Sequence, residues 1–134
     1  MQNIIHLSEA AAIGLHSMAV ITLSNKSMNV HEIAEKIGSS KHHVAKIMQR
    51  LNKKGFVSST RGPKGGFVLN KPTNEISLLD IYESIESKIE IASCPANKEV
   101  CPFGKCLIGD ITNKLKQELI DFLSSKKLSD YVNK

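Results

Sequence analysis

All three cysteines of the chain stand within thirteen residues, CPANKEVCPFGKC over 94–106, at spacings C-x6-C-x4-C. Two prolines, one glycine and three charged residues separate Cys94, Cys101 and Cys106, a composition that argues for an irregular loop. Such a loop can fold three thiolates around one centre. Three soft ligands suit zinc, cuprous copper or an iron–sulfur cluster. A tetrahedral zinc site or a four-iron cluster still needs a fourth ligand. With no fourth cysteine, that ligand has to be His, Asp or Glu, a water, or a group from another chain. A disulfide with one thiol left over, or three unrelated thiols, are the competing readings. The spacing matches no standard zinc finger, so it does not choose the metal.

The elements around this loop must fit in 134 residues, enough for one domain, or one domain plus an oligomerisation element. The chain is 41% hydrophobic and 23% charged, with no Trp, four Phe and two Tyr, so its core is mainly aliphatic. The longest apolar run, Ala10 to Leu23, is too short for a membrane span. No basic residue precedes Lys26, as a secretory signal would want. A cytoplasmic protein is expected, with reduced thiols that favour a metal over a disulfide. The net charge of +5 is unevenly spread. From Lys36 to Lys71 there are nine basic residues and no acidic one; from Pro72 onward eight basic face ten acidic. A basic block inside a folded pattern is the footprint expected of phosphate binding, set against a merely solvated basic face.

Residues 9–23 read as a first helix, Ala-rich and apolar nearly all round, hence mostly buried. Glu9 falls in its first turn, where a carboxylate suits the helix dipole. His16 reads as a packed or capped histidine rather than a ligand. Asn29, with Glu32 three residues on, opens a second helix that Gly38 ends. Ser39 or Ser40 opens a third, with Val44, Ile47, Met48 and Leu51 facing inward and Gly55 as its stop. Two short helices joined by a Gly-containing turn form a helix-turn-helix pattern. The third helix carries Lys41, His42, His43, Lys46, Gln49 and Arg50 on its remaining surface, and Ser40, Lys41, His42, His43, Lys46 and Arg50 are its expected DNA contacts. Its N-terminal end, Ser40 to His43, is where a recognition helix meets base edges, and His or Lys can contact guanine. Neighbouring His residues diverge by about 100° on a helix and rarely share a metal ion.

Phe56–Thr60 and Phe67–Leu69 have strand propensity and flank RGPKGG, a hairpin tip carrying Arg61 and Lys64. A hairpin after a recognition helix is a wing whose cations can reach a minor groove. A plain Gly-Pro turn with solvated cations is the alternative. Ser77 caps a fourth helix with Asp80 three residues on. After the cysteine loop a long helix is expected over Leu107–Ser124, with the stripe Ile108, Ile111, Leu115, Leu119 and Phe122 as a dimerisation seam, or else packed on its own domain. Leu128–Val132 reads as a last short turn. No nucleophile–base–acid set stands out, so no enzyme is expected.

This layout resembles the iron–sulfur winged-helix transcription regulators of the NsrR and IscR type over nearly the whole chain. The segment RGPKGGFVL, Arg61 to Leu69, is similar to the family's R-G-x-x-G-G-hydrophobic-x-L wing signature. SKHHVAKI, Ser40 to Ile47, looks like the recognition helix of the NsrR type, S-x-x-H-x-x-K-[VI], with His43 and Lys46 at its His and Lys positions. The resemblance implies that Cys94, Cys101 and Cys106 ligate an iron–sulfur cluster, 4Fe–4S or 2Fe–2S. It places Glu9 where NsrR-type members use a carboxylate from the partner subunit, with Glu in place of Asp. IscR-type members use a His just after the last cysteine; here Leu107 and Ile108 stand there, and no His follows His43.

The expected fold is mainly α with a small β-wing: a winged helix-turn-helix plus a long C-terminal dimerisation helix. Residues 1–75 form the DNA-binding domain, its first helix packing on the partner; 76–134 hold the cluster loop and dimer helix. The expected function is a homodimeric repressor of a palindromic duplex operator, controlled by a cluster that senses nitric oxide, redox or iron status. The alternative keeps the DNA-binding scaffold and replaces the cluster with direct thiol redox sensing.

Overall fold

The computed structural model describes residues 7–90, 107 and 111–132. Its helices are α1 (Glu9–Ser24), α2 (Val30–Ile37), α3 (Lys41–Lys53), α4 (Leu78–Glu86) and α5 (Ile111–Ser125), with strands β1 (Val57–Thr60) and β2 (Gly66–Leu69) between α3 and α4. Short local signals set most of the boundaries. The Ser8 hydroxyl accepts from Ala11 N–H and opens α1; Asn25, at φ 54°, closes it in the left-handed region. Asn29 accepts from Glu32 N–H at 2.8 Å while the Glu32 carboxylate accepts from Asn29 N–H at 3.4 Å, a complete capping box. Ser40 caps α3 by accepting from His43 N–H at 3.2 Å, and Ser77 with Asp80 repeats the capping box at α4. Each such cap stabilises its helix by roughly 1 kcal/mol.

Helix α1 is the hub, packing against α2, α3, α4 and β2. Its Met18 meets Ile33 of α2, Met48 and Leu51 of α3, and Ile81 of α4 in one aliphatic core, all fully buried. The Thr22 hydroxyl, buried on the same helix, donates to Met18 carbonyl at 2.7 Å, so its burial leaves no orphan donor. His16, exposed, donates from Nδ1 to the Ala12 carbonyl at 2.7 Å.

The wing is an antiparallel hairpin in the register Val57↔Leu69, Ser58↔Val68, Ser59↔Phe67 and Thr60↔Gly66. Met28, in the α1–α2 connection, bridges to Phe67 as a one-residue third strand, with N–H···O distances of 3.1 and 2.7 Å. Gly66 makes this approach possible: a Cβ there would lie 2.5 Å from the Met28 carbonyl oxygen.

The C-terminal part departs from expectation in two ways. Leu107, expected to start that helix, is in a turn; residues 108–110, with Ile108 of the expected stripe, lie outside the described residues, and α5 is described from Ile111. The expected stripe is also divided. Leu119 packs with Leu123, Ala11 and Tyr82 in a second apolar cluster, while Ile111, Leu115 and Phe122 stay exposed. A helix of 15 residues turns enough faces to serve two surfaces at once. Past α5 the chain turns back. Leu128 is 1% exposed in the main core, its N–H donates to Ile76 carbonyl at 3.0 Å, and Leu78 N–H donates to Lys126 carbonyl at 2.9 Å. The short turn expected at 128–132 is thus an anchor, and residues on both sides of position 75 share one core.

Candidate nucleic-acid interface and sensor elements

Helix α3 divides its residues sharply. Val44, Ile47, Met48 and Leu51 are at most 6% exposed, and Lys41, His42, His43 and Lys46 face solvent. Its first turn holds no acidic residue. The unpaired N–H groups and positive dipole end of α3 therefore add to Lys41 and the two imidazoles rather than being neutralised. The rings of His42 and His43 lie 6.4 Å apart, diverging as neighbours on a helix must. Ser40, expected among the contacts, has its hydroxyl on His43 N–H, where it fixes the first turn. The wing tip adds exposed Arg61 and Lys64 beyond the strands, shaped by Gly62 at φ 107° and by a Gly65 N–H to Gly62 carbonyl bond of 2.9 Å.

Arg50 behaves differently from the other cations of α3. Its Nη1 donates to the Ile85 carbonyl of α4 at 2.8 Å. Nothing in the sequence pattern marks that link, because the two residues are 35 apart and meet only through packing.

Glu9 is exposed on the first turn of α1 and lines a cleft of about 360 Å³ with Ala10, Ile13, His43, Lys46, Ile47 and Arg50. The candidate fourth ligand thus sits beside the recognition helix. Cys94, Cys101 and Cys106 lie outside the described residues, and among the described residues no group of three or more His, Cys, Asp or Glu side chains is placed to hold a metal. Among the described residues, too, no helix is long and apolar enough to cross a membrane.

A helix-turn-helix with a wing and a basic outer face defines a transcription-regulator scaffold rather than an enzyme. Residues 7–134 match the family model Rrf2, described as an iron-dependent transcriptional regulator, and the chain belongs to that family. It is 32% identical over 103 residues to the HTH-type transcriptional regulator IscR of Pectobacterium carotovorum subsp. carotovorum, covering 76% of this chain and 62% of that protein. It therefore spans less than two thirds of the length of that relative. Among solved structures, T. potens IscR superposes with a TM-score of 0.75 at 23% identity, over 94% of this chain and 85% of that one. The oxidized form of Staphylococcus aureus CymR superposes with 0.76 at 22% identity, over 97% and 98%. The fold is the mainly helical winged one that the spacing of caps and glycines implied.

Proposed function

We propose that this chain is a cytoplasmic, homodimeric transcriptional repressor that reads a palindromic duplex operator and is switched by an iron–sulfur cluster responsive to nitric oxide, redox or iron status. The observation that carries it is the outer face of α3 and the wing: exposed Lys41, His42, His43, Lys46, Arg61 and Lys64, with no acidic residue between Lys36 and Lys71. Imidazole and ammonium groups at the N-terminal end of α3 suit guanine edges in a major groove. The wing cations suit the adjacent backbone or minor groove. The exposed Ile111, Leu115 and Phe122 stripe is the dimer seam. A two-fold dimer sets its recognition helices about 34–36 Å apart, so a small rotation of either loses both half-sites. Residues 1–75 then read DNA and 76–134 sense and dimerise, although both parts share one core.

Cys94, Cys101 and Cys106 would hold the cluster, with the partner subunit's Glu9 completing the set. The donors fit: three soft thiolates within thirteen residues of sequence, and a carboxylate exposed at a helix start, where another subunit can approach it. When bound, the cluster supplies a centre that reacts with nitric oxide and oxidants. The protein's part is to tie that loop to α4 and α5 and, through Glu9, to the edge of α3. A second reading, supported by the likeness to an oxidized CymR, is direct thiol oxidation on the same scaffold.

Iron, acid-labile sulfide and zinc content with a visible spectrum, on anaerobically purified protein, separates the readings. Matching iron and sulfide, with a brown colour that bleaches on adding nitric oxide, is the expected result. One zinc per chain in colourless protein would contradict it and make the loop structural. Neither metal, even after attempted reconstitution, would favour the thiol reading.

A further inference from the structure

The last turn of α4 is gripped from three directions, and it is the turn from which the chain leaves for the cysteine segment. Ile85 is 7% exposed and fills a notch in α1 at Gly14, where a Cβ would collide with Ile85 Cδ1 and lie 3.5 Å from Ile47 of α3. The Glu86 carboxylate accepts from the hydroxyl of Ser8, the residue that caps α1 beside Glu9. The Ile85 carbonyl, one of the last-turn carbonyls that lack a helical partner, takes the Arg50 guanidinium at 2.8 Å. The chain then passes Ser87 at φ 93°, a conformation that a residue with a Cβ holds only when its surroundings impose it. Cys94 follows seven residues later.

We propose that Arg50 is a positioning residue, not a DNA contact: it locks α3 to the end of α4, so that a change of state in the cysteine segment moves the recognition helix. The inference rests on the cysteine segment being the sensor. Chemistry favours Arg for this task. Its planar fork holds a fixed direction toward a carbonyl, which a lysine ammonium on a flexible stem does not, and a cation at a helix C-terminus also meets the negative end of the dipole. Ile85 of α4 and Ile47 of α3 both lie against Gly14 of α1 in the same close-packed core, which limits how far α3 and α4 can slide past each other.

The test uses the full chain with Arg50→Gln, Arg50→Lys and, as a phosphate-contact control, Lys46→Gln. Hydrogen exchange on free, cluster-free protein should show the amides around Ile85 to Ile89 exchanging about tenfold faster in both Arg50 variants, because opening of that turn is no longer opposed. Affinity for a duplex selected from a random pool should keep the wild-type salt slope in both, while Lys46→Gln loses about one unit of slope. The ratio of affinities before and after nitric oxide treatment should shrink toward one in both Arg50 variants. Unchanged exchange, or an Arg50→Gln slope lower by about one with Arg50→Lys restoring it, would overturn the proposal and make Arg50 a phosphate contact. If wild type shows equal affinity in both states, the sensing reading fails, and exchange and salt slope still decide whether Arg50 anchors α3.

Discussion

Helices α3 and α5 are of similar length, 13 and 15 residues, and are used in opposite ways. In α3 every large aliphatic side chain is sunk in the core and what remains outside is polar, with Lys41, Lys46, Arg50 and Lys53 as its cations and no carboxylate among them. In α5 only Thr112 and Leu123 are buried, and Ile111, Leu115 and Phe122 are left in solvent at 46, 39 and 54% exposure. An amphipathic helix whose apolar side is satisfied offers its polar side to a charged partner. One whose apolar stripe is not satisfied offers that stripe to another apolar surface. The same chain thus carries a basic polar surface of the kind that suits DNA and an apolar surface of the kind that suits another apolar face.

The contrast can be broken in several places. The largest effect is expected inside α3: Leu51→Ala or Met48→Ala leaves a cavity in the main core and should cost about 2–5 kcal/mol in urea unfolding. A loss below about 0.5 kcal/mol would mean that this face is not sealed. Next, Leu115→Asp with Phe122→Asp should turn a dimer into a monomer in sedimentation equilibrium, with helical circular dichroism unchanged. Persistence of the dimer would move the seam elsewhere. On the outer face of α3, His43→Ala or Lys46→Ala should weaken operator binding by about 1–3 kcal/mol and leave thermal stability unaltered; the reverse pattern would make these residues structural. At the wing, Lys64→Ala should lower affinity evenly across sequences and shallow the salt slope by about one unit, and an unchanged slope would take the tip out of the interface. The smallest effect concerns the α4 exit: Ser87→Gly removes a strained backbone and should raise stability by about 1 kcal/mol, and a lower Tm would show that the side chain matters more than the strain.

What could be read in the sequence was local. Asn29 with Glu32, Ser77 with Asp80, and Gly38 and Gly55 mark helix ends through bonds and backbone angles spanning a few residues, and the structure has its helix ends there. The buried face of α3 followed from its period. Contacts between distant segments left no such trace. The Met28–Phe67 bridge depends on Gly66 having no side chain, which a hairpin motif explains equally well. Leu128 is one apolar residue in a short turn, and only the pairing of its backbone with Ile76 makes it core. The split of the α5 stripe needed knowledge of which side meets Ala11 and Tyr82. Arg50 reads in sequence as one more cation on a basic helix, and its bond to the Ile85 carbonyl, 35 residues away, arises only from packing. For the candidate site, α3, the wing and Glu9 were all legible as exposed chemistry, and the cysteine loop lies outside the described residues.

Control of DNA binding by the cysteines is tested by a fluorescence anisotropy titration of a selected operator duplex with anaerobically purified protein. The titration compares wild type, wild type after nitric oxide, and Cys101→Ala. Nitric oxide and Cys101→Ala should shift affinity in the same direction and by similar factors, at an unchanged salt slope, because both act on the cysteine segment and leave the α3 cations in place. Identical binding by all three would contradict such control and reduce the chain to a DNA-binding protein whose cysteines have no part in it.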